Sequence, residues 1–208
     1  MIIIKIYLDF DGTIYNSTKL YNEFINIFIK HNINKNYLDN IIKEYYQKEK
    51  NYITLAKKII KDNNLDTSIL NEINNLYSNK LLFKDTIPFL EKYHKKYELI
   101  LLTLGNKEYQ LKKINSINIT KYFKDIIITN KDKSKLNIDY QNGIFIDNNP
   151  LELEKFYKSK TKYLIRIKRK TDKYSKINLN INNIPEFNNF NELLNSNYID
   201  KIGDEFNE

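Results

Sequence analysis

Ile2-Ile3-Ile4-Lys5-Ile6-Tyr7-Leu8-Asp9-Phe10-Asp11-Gly12-Thr13 is the stretch on which the fold turns. The β-branched run from Ile2 to Leu8 predicts a strand buried on both faces, as in a parallel sheet covered by helices. The run stops at two acids, and Gly12 allows a tight turn there. Side chains along an extended chain alternate with period two, so Asp9 and Asp11 point the same way. Carboxylates so close repel one another unless a cation or a proton intervenes.

Working outward, the texture changes after this turn. Leu20, Phe24, Ile27 and Phe28 recur at helical spacing, as do Leu38, Ile41, Ile42 and Tyr45. Leu55, Ile59 and Ile60 follow, then Ile69, Ile73, Leu76 and Tyr77, which makes four amphipathic helices, the last capped by Asp66 or Thr67. Residues 19–81 therefore read as an all-helical insert, hinged near Tyr15–Lys19 and Leu81–Asp85. Strand and helix then alternate: helix 88–97, strand 98–104, helix 107–116, strand 125–129, strand 143–147, helix 151–158, strand 163–167 and a short helix 190–194. Such alternation predicts an α/β protein. Its three-layer, Rossmann-like parallel-sheet core spans residues 1–18 and 82–208, with the helical cap inserted between.

In open parallel sheets, ligands bind beyond the carboxyl ends of the strands. The first strand ends in Asp9 and Asp11. Thr103, Gly105 and Asn106 lie at the end of the second. Lys131, Lys133 and Lys135 follow the third, and Asp147, Asn148 and Asn149 follow the fourth. Carboxylates, a hydroxyl, an amine and an amide converging in this way suit a hard, oxygen-binding cation together with a phosphate. A magnesium ion beside Asp9 would leave Asp11 free to give and take a proton.

These strings resemble those of a known family. Asp9-Phe10-Asp11-Gly12-Thr13 is similar to the first motif of the haloacid dehalogenase (HAD) superfamily, and Leu101-Leu102-Thr103-Leu104-Gly105-Asn106 to the second. A lysine after the next strand corresponds to the third motif, and Phe145-Ile146-Asp147-Asn148 to the fourth. The resemblance covers essentially the whole chain and implies roles. Asp9 would be the nucleophile and form an aspartyl-phosphate, and Asp11 would protonate the leaving oxygen and later activate water. Thr103 would bind the transferring phosphoryl group, with Gly12, Gly105 and Asn106 binding substrate beside it. Lys133, which opens a helical-looking stretch, is the choice for the catalytic lysine. Magnesium would be held by Asp9, the backbone carbonyl of Asp11, and Asp147 and Asn148. Asn148 stands where an acid is usual, so metal affinity should be weaker.

Asp11 points to the phosphatase branch, because true dehalogenases need no acid two residues after the nucleophile. A closing helical cap implies a small phosphorylated substrate and disfavours nucleic acid without excluding it. A phosphosugar mutase would use the same residues. A basic nucleotide or nucleic-acid-end phosphatase, or a non-catalytic nucleic-acid binder, stands as a further alternative.

Composition narrows the choice. With 208 residues the chain has room for one domain and a sizeable insert. It has no cysteine and two histidines, which excludes disulfides, thiolate zinc, a cysteine nucleophile and a three-histidine metal site. The formal charge of +8 reads mainly as a Lys-, Asn- and Ile-rich compositional bias. His31 reads as a favourable charge at a helix end, and His94 as exposed. Arg166 and Arg169 read as a solvated strand end, with a substrate-anion site as the alternative. No segment is long enough to span a bilayer and none has the pattern of a signal peptide, so a cytoplasmic monomer or weak dimer with no membrane partner is expected.

Overall fold

The computed structural model describes residues 4–48, 51–138 and 140–206. The apolar runs become strands: β1 (Lys5–Leu8), β2 (Glu98–Leu104), β3 (Asp125–Thr129), β4 (Gly143–Asp147), β5 (Tyr163–Ile167) and β6 (Glu186–Phe187). They form a six-stranded sheet in the order β3-β2-β1-β4-β5-β6, with every pairing parallel. Ile2 and Ile3 of the expected first strand lie outside the described residues.

Alternation along the strands sorts side chains into two apolar layers. Ile6, Leu8, Leu99, Leu101, Ile144, Ile146 and Ile165 face one layer. Tyr7, Ile100, Leu102, Phe145 and Leu164 face the other. Helices α1 (Ser17–Lys30), α2 (Lys35–Lys48), α3 (Tyr52–Asp62) and α4 (Ile69–Asn75) occupy the interval between β1 and β2. Then come α5 (Thr86–Tyr93), α6 (Lys107–Asn115), α7 (Pro150–Lys158), α8 (Phe190–Ser196) and α9 (Tyr198–Glu205). Phe89, Tyr93, Phe190, Ile199 and Ile202 cover the first layer, and Leu153 and Phe156 of α7 cover the second.

The insert leaves and re-enters the core through a narrow neck. Tyr15 and Leu82 form an antiparallel bridge. Asn16 N–H donates to Leu81 O at 2.7 Å and Phe83 N–H to Ile14 O at 3.1 Å. Among the described residues of the insert there is no strand.

With four glycines in the chain, asparagine does much of the work of punctuation. Asn16, Asn51, Asn106, Asn149 and Asn189 accept backbone N–H bonds as helix N-caps. Asn32, Asn64, Asn118, Asn183 and Asn197 take left-handed backbone conformations, which their short polar side chains tolerate best after glycine. The fourth insert helix departs from the expected cap. Ser68 holds the cap position, and Asp66, two residues earlier, instead accepts from Ser68 N–H through Oδ1 at 2.7 Å. The helix expected over 88–97 runs over Thr86–Tyr93, with Pro88 in its first turn. β6 and α9 were not expected. No helix among the described residues is long and apolar enough to cross a membrane.

Candidate active site

Strand register decides which side chains meet. Leu8 pairs with Leu101 on one side and Ile146 on the other, so Asp9 and Asp147 emerge side by side, with Thr103 near the end of β2. Asp9 and Asp147 are both buried, and so is Lys133. Lys133 begins a single 3-10 turn, Lys133–Lys135, which Asp132 caps through a bond from Ser134 N–H. Its ammonium donates to Asp9 Oδ1 at 2.6 Å and to Asp147 Oδ2 at 2.8 Å. Lys131 and Lys135 are exposed. Of the three candidate lysines, Lys133 is thus the one the fold delivers to Asp9.

The turn after β1 wraps around this pair. Thr13 Oγ1 donates to Asp9 Oδ2 at 3.1 Å and lies 3.4 Å from Asn148 Oδ1. Gly12 has φ +86°, and a Cβ there would stand 2.1 Å from Asn148 Nδ2 and 2.6 Å from Asp172 Oδ2. Only glycine fits. Asn148 Nδ2 lies beside the Asp172 carboxylate without a hydrogen bond of normal geometry. Burial holds Asp172 above the ordinary carboxylate range. Both Asp147 oxygens are engaged, since Oδ1 accepts from Asn149 N–H at 2.8 Å. Asp147 therefore holds Lys133 in place, and Asn148 is the fourth-strand residue left facing the Asp9 turn.

Asp11 has partners of its own. Lys113 Nζ donates to both of its carboxylate oxygens at 2.7 Å, and Gln110 Nε2 donates to Oδ2 at 2.9 Å. Gln110 Nε2 also reaches Thr103 Oγ1 and Leu104 O, each at 3.0 Å. A Cβ at Gly105 would press on Gln110 Nε2 at 3.0 Å. Asn106 caps α6, its Oδ1 accepting from Tyr109 N–H at 3.0 Å. Its side-chain oxygen thereby starts the helix, and the residue is exposed at the strand end.

Electrostatics follow from the crowding. Burial, and then the neighbouring Asp147 charge, push Asp9 up to about 7 against the pull of Lys133. Burial also pulls the Lys133 ammonium down, but Asp147 and Asp9 outweigh it and hold it above the usual lysine range. Once Asp9 ionises, two buried carboxylates share one buried ammonium and the pocket carries an uncompensated negative charge. The side-chain donors gathered beside it are oxygens: the Asp9 carboxylate and the Asn148 amide, both within reach of Thr13 Oγ1. A hard divalent cation such as magnesium fits both the charge and the donor set.

The two arginines are neither solvated nor an anion site. Arg166 is fully buried and donates to Glu186, to the carbonyls of Tyr174 and Ile177, and to Asn148 O. Arg169 Nη1 pairs with Asp85 Oδ2 at 2.6 Å, and Nη2 donates to Thr13 O at 2.9 Å. Both fasten loops to the strand ends. His31 caps α1 and meets Glu72 Oε1 at 2.9 Å. His94 is half-buried at the end of α5, with Nδ1 2.9 Å from Leu90 O.

The architecture recurs among solved structures. A haloacid dehalogenase-like hydrolase from Burkholderia xenovorans LB400 is similar, with a TM-score of 0.73 at 11% identity over 93% of this chain and 95% of that chain. A HAD phosphatase from Thermococcus onnurineus has a TM-score of 0.59 at 19% identity, over 93% and 97%. A HAD-hydrolase from Bacillus subtilis bound to magnesium gives 0.59 at 12%, over 94% and 99%. 2-Haloacid dehalogenases are also among the matches. No protein-family model and no curated protein matches the chain. The fold is therefore that of the HAD superfamily.

Lys113, Gln110 and Asp172 escaped the sequence reading. Gln110 and Lys113 are three apart, one face of a helix that starts at a strand end. That spacing was visible, but a lysine in so lysine-rich a chain gives no contrast. Asp172 lies beyond β5, whose end shares the same sheet edge.

Proposed function

We propose that the chain is a magnesium-dependent phosphatase of the HAD superfamily, acting on a small phosphorylated metabolite. One observation carries this reading. Asp9 shares a sheet edge with a second acid, Asp11, which is referenced through Gln110 to Thr103. Displacement of a halide needs no second acid, whereas cleavage of a phosphate ester needs a proton donor for the leaving oxygen.

An Asp9 carboxylate oxygen attacks phosphorus as the bond from phosphorus to the leaving oxygen breaks. Asp11, protonated at the start of the cycle, gives that oxygen its proton and regains one from a water whose oxygen attacks the same phosphorus. The bond from phosphorus to Asp9 breaks and the carboxylate is regenerated. Lys133 and Thr103 counter the charge that develops on the phosphoryl oxygens. Magnesium, held by Asp9, the Asp11 carbonyl and Asn148, would supply further neutralisation of the phosphate when bound. The experiment that tests the reading is a panel of phosphorylated metabolites and aryl phosphates assayed with magnesium, with haloacids alongside. Release of halide but no phosphate would overturn it.

The neutral Asn148 amide leaves the metal shell one charge short of an Asp-Asp pair. Asn148→Asp should keep activity and tighten magnesium, and Asn148→Ala should weaken magnesium about tenfold or more. Titrating turnover against magnesium for the three proteins checks this. An unchanged dependence in Asn148→Ala removes Asn148 from the shell.

The helical insert acts as the lid, in this reading, and the bridged backbone of the neck is its hinge. Exchanging residues 19–81 for a short linker should then alter substrate choice more than turnover of a small aryl phosphate. An insert-free protein with unaltered preference across the panel would argue against a lid.

A further inference from the structure

We infer that Lys113, with Gln110, is the positioning residue for Asp11: it holds that carboxylate in register with Thr103 for proton transfer to the leaving oxygen. The inference rests on the phosphatase reading and adds residues to it that the four motifs do not contain.

Lys113 and Lys133 are the lysines buried among the described residues. Each is matched to one acid of the Asp9-Phe10-Asp11 turn. Lys133 joins Asp9 to Asp147, and Lys113 meets both Asp11 oxygens at 2.7 Å. Burying an ammonium costs several kcal/mol unless it is well paired, so a lysine in this position needs a partner of good geometry. Asp11 is that partner, at 29% side-chain exposure against 3% for Lys113. Three aromatic rings also surround the ammonium, and the Asp9 charge acts on it as well. The rings of Tyr109, Phe10 and Tyr15 lie 4.9, 5.3 and 5.4 Å from it. These faces favour a cation and offer it no competing acceptor atom.

Asp11 sits on a turn and would otherwise be free to rotate. A general acid must reach its target within about 2.6–3.2 Å, so rotational freedom wastes it. Lys113 fixes the carboxylate from one side. Gln110 fixes it from another, the two N–H groups of its amide being shared among Asp11 Oδ2, Thr103 Oγ1 and Leu104 O. The acid is thereby registered to the residue that binds the phosphoryl group. Both clamp residues come from α6, which Asn106 caps directly after β2.

A merely structural brace and a positioning clamp predict different kinetics. The test compares wild type, Lys113→Met, Gln110→Leu and Asp11→Asn on two substrates, with folding checked by circular dichroism. 2,4-Dinitrophenyl phosphate has a leaving group that needs no proton, and phenyl phosphate has one that does. Lys113→Met should cut kcat/KM on phenyl phosphate about a hundredfold and on dinitrophenyl phosphate less than about tenfold, because kcat/KM reports the steps up to release of the leaving group and not the later attack of water. Gln110→Leu keeps the ammonium and should show the same asymmetry more weakly; it carries the test if Lys113→Met does not fold. Equal losses of kcat/KM on both substrates overturn the inference. Asp11→Asn separates the two levels of the argument. If it shows the asymmetry and the clamp variants do not, the clamp alone is wrong. If Asp11→Asn shows none, the acid role and the phosphatase mechanism built on it are wrong too.

Discussion

Asp9→Asn should lower phosphatase turnover by at least about a thousandfold while the protein stays folded. The change is nearly isosteric, and Asn keeps an oxygen that can accept from Lys133 or Thr13, the present partners of the carboxylate at 2.6 and 3.1 Å. What is lost is the anionic oxygen that attacks phosphorus. Two measurements check this: steady-state turnover of an aryl phosphate, and intact-mass spectrometry of a rapidly quenched reaction. Wild type should show a phosphoryl adduct and Asp9→Asn none. Wild-type turnover in Asp9→Asn would remove Asp9 from the chemistry.

Lys133→Met should combine the loss of turnover with a stability loss of about 3–5 kcal/mol, the usual result of deleting one member of a buried ionic cluster. Asp9 and Asp147 would then face one another in the interior with no ammonium between them. The pH dependence gives a second handle. Asp9 already titrates about 7, above its ordinary value of 3.8. With no divalent cation present, the folded form therefore binds more protons than the unfolded form between these values. Stability falls as pH rises through that window and is level above it. Losing Lys133 strengthens the effect, so the gap between variant and wild type should be wider at pH 8 than at pH 5. Urea unfolding in a chelator at the two pH values measures it. A gap that stays constant, or is wider at pH 5, would mean that repulsion between the acids is not what Lys133 relieves.

Much of this arrangement could be read from the sequence because its chemistry is local to strand ends. β2, β3, β4 and β5 begin and end where their apolar runs do. Asp9, Thr103 and Asp147 each sit within one residue of a strand's end, so parallel register alone gathers them. Lys133 could be picked from its neighbours because a turn followed it. The clamp on Asp11 was hidden for the opposite reason: Gln110 and Lys113 reach it across 99 and 102 residues, and no local pattern marks them. Arg166 and Arg169 were misread because burial of an arginine depends on the loop that folds over it. The carbonyls of Tyr174 and Ile177 and the Asp85 carboxylate are what take these guanidinium groups out of water. The two-residue β6 is too short for any period to show.

The bridge between Tyr15 and Leu82 has an entropic consequence. It closes a loop that holds the whole insert. Closure entropy grows only as the logarithm of loop length, about 0.6 kcal/mol for each doubling. Replacing a turn of four residues by the present insert therefore costs the core only about 2–3 kcal/mol of chain entropy, and lengthening it further costs still less per residue. Because the core meets the insert at a short paired ribbon, the length of what lies beyond that ribbon hardly registers in the stability of the sheet. Selection can therefore enlarge, shrink or exchange the inserted module while the strand ends that hold Asp9, Thr103 and Asp147 stay in register.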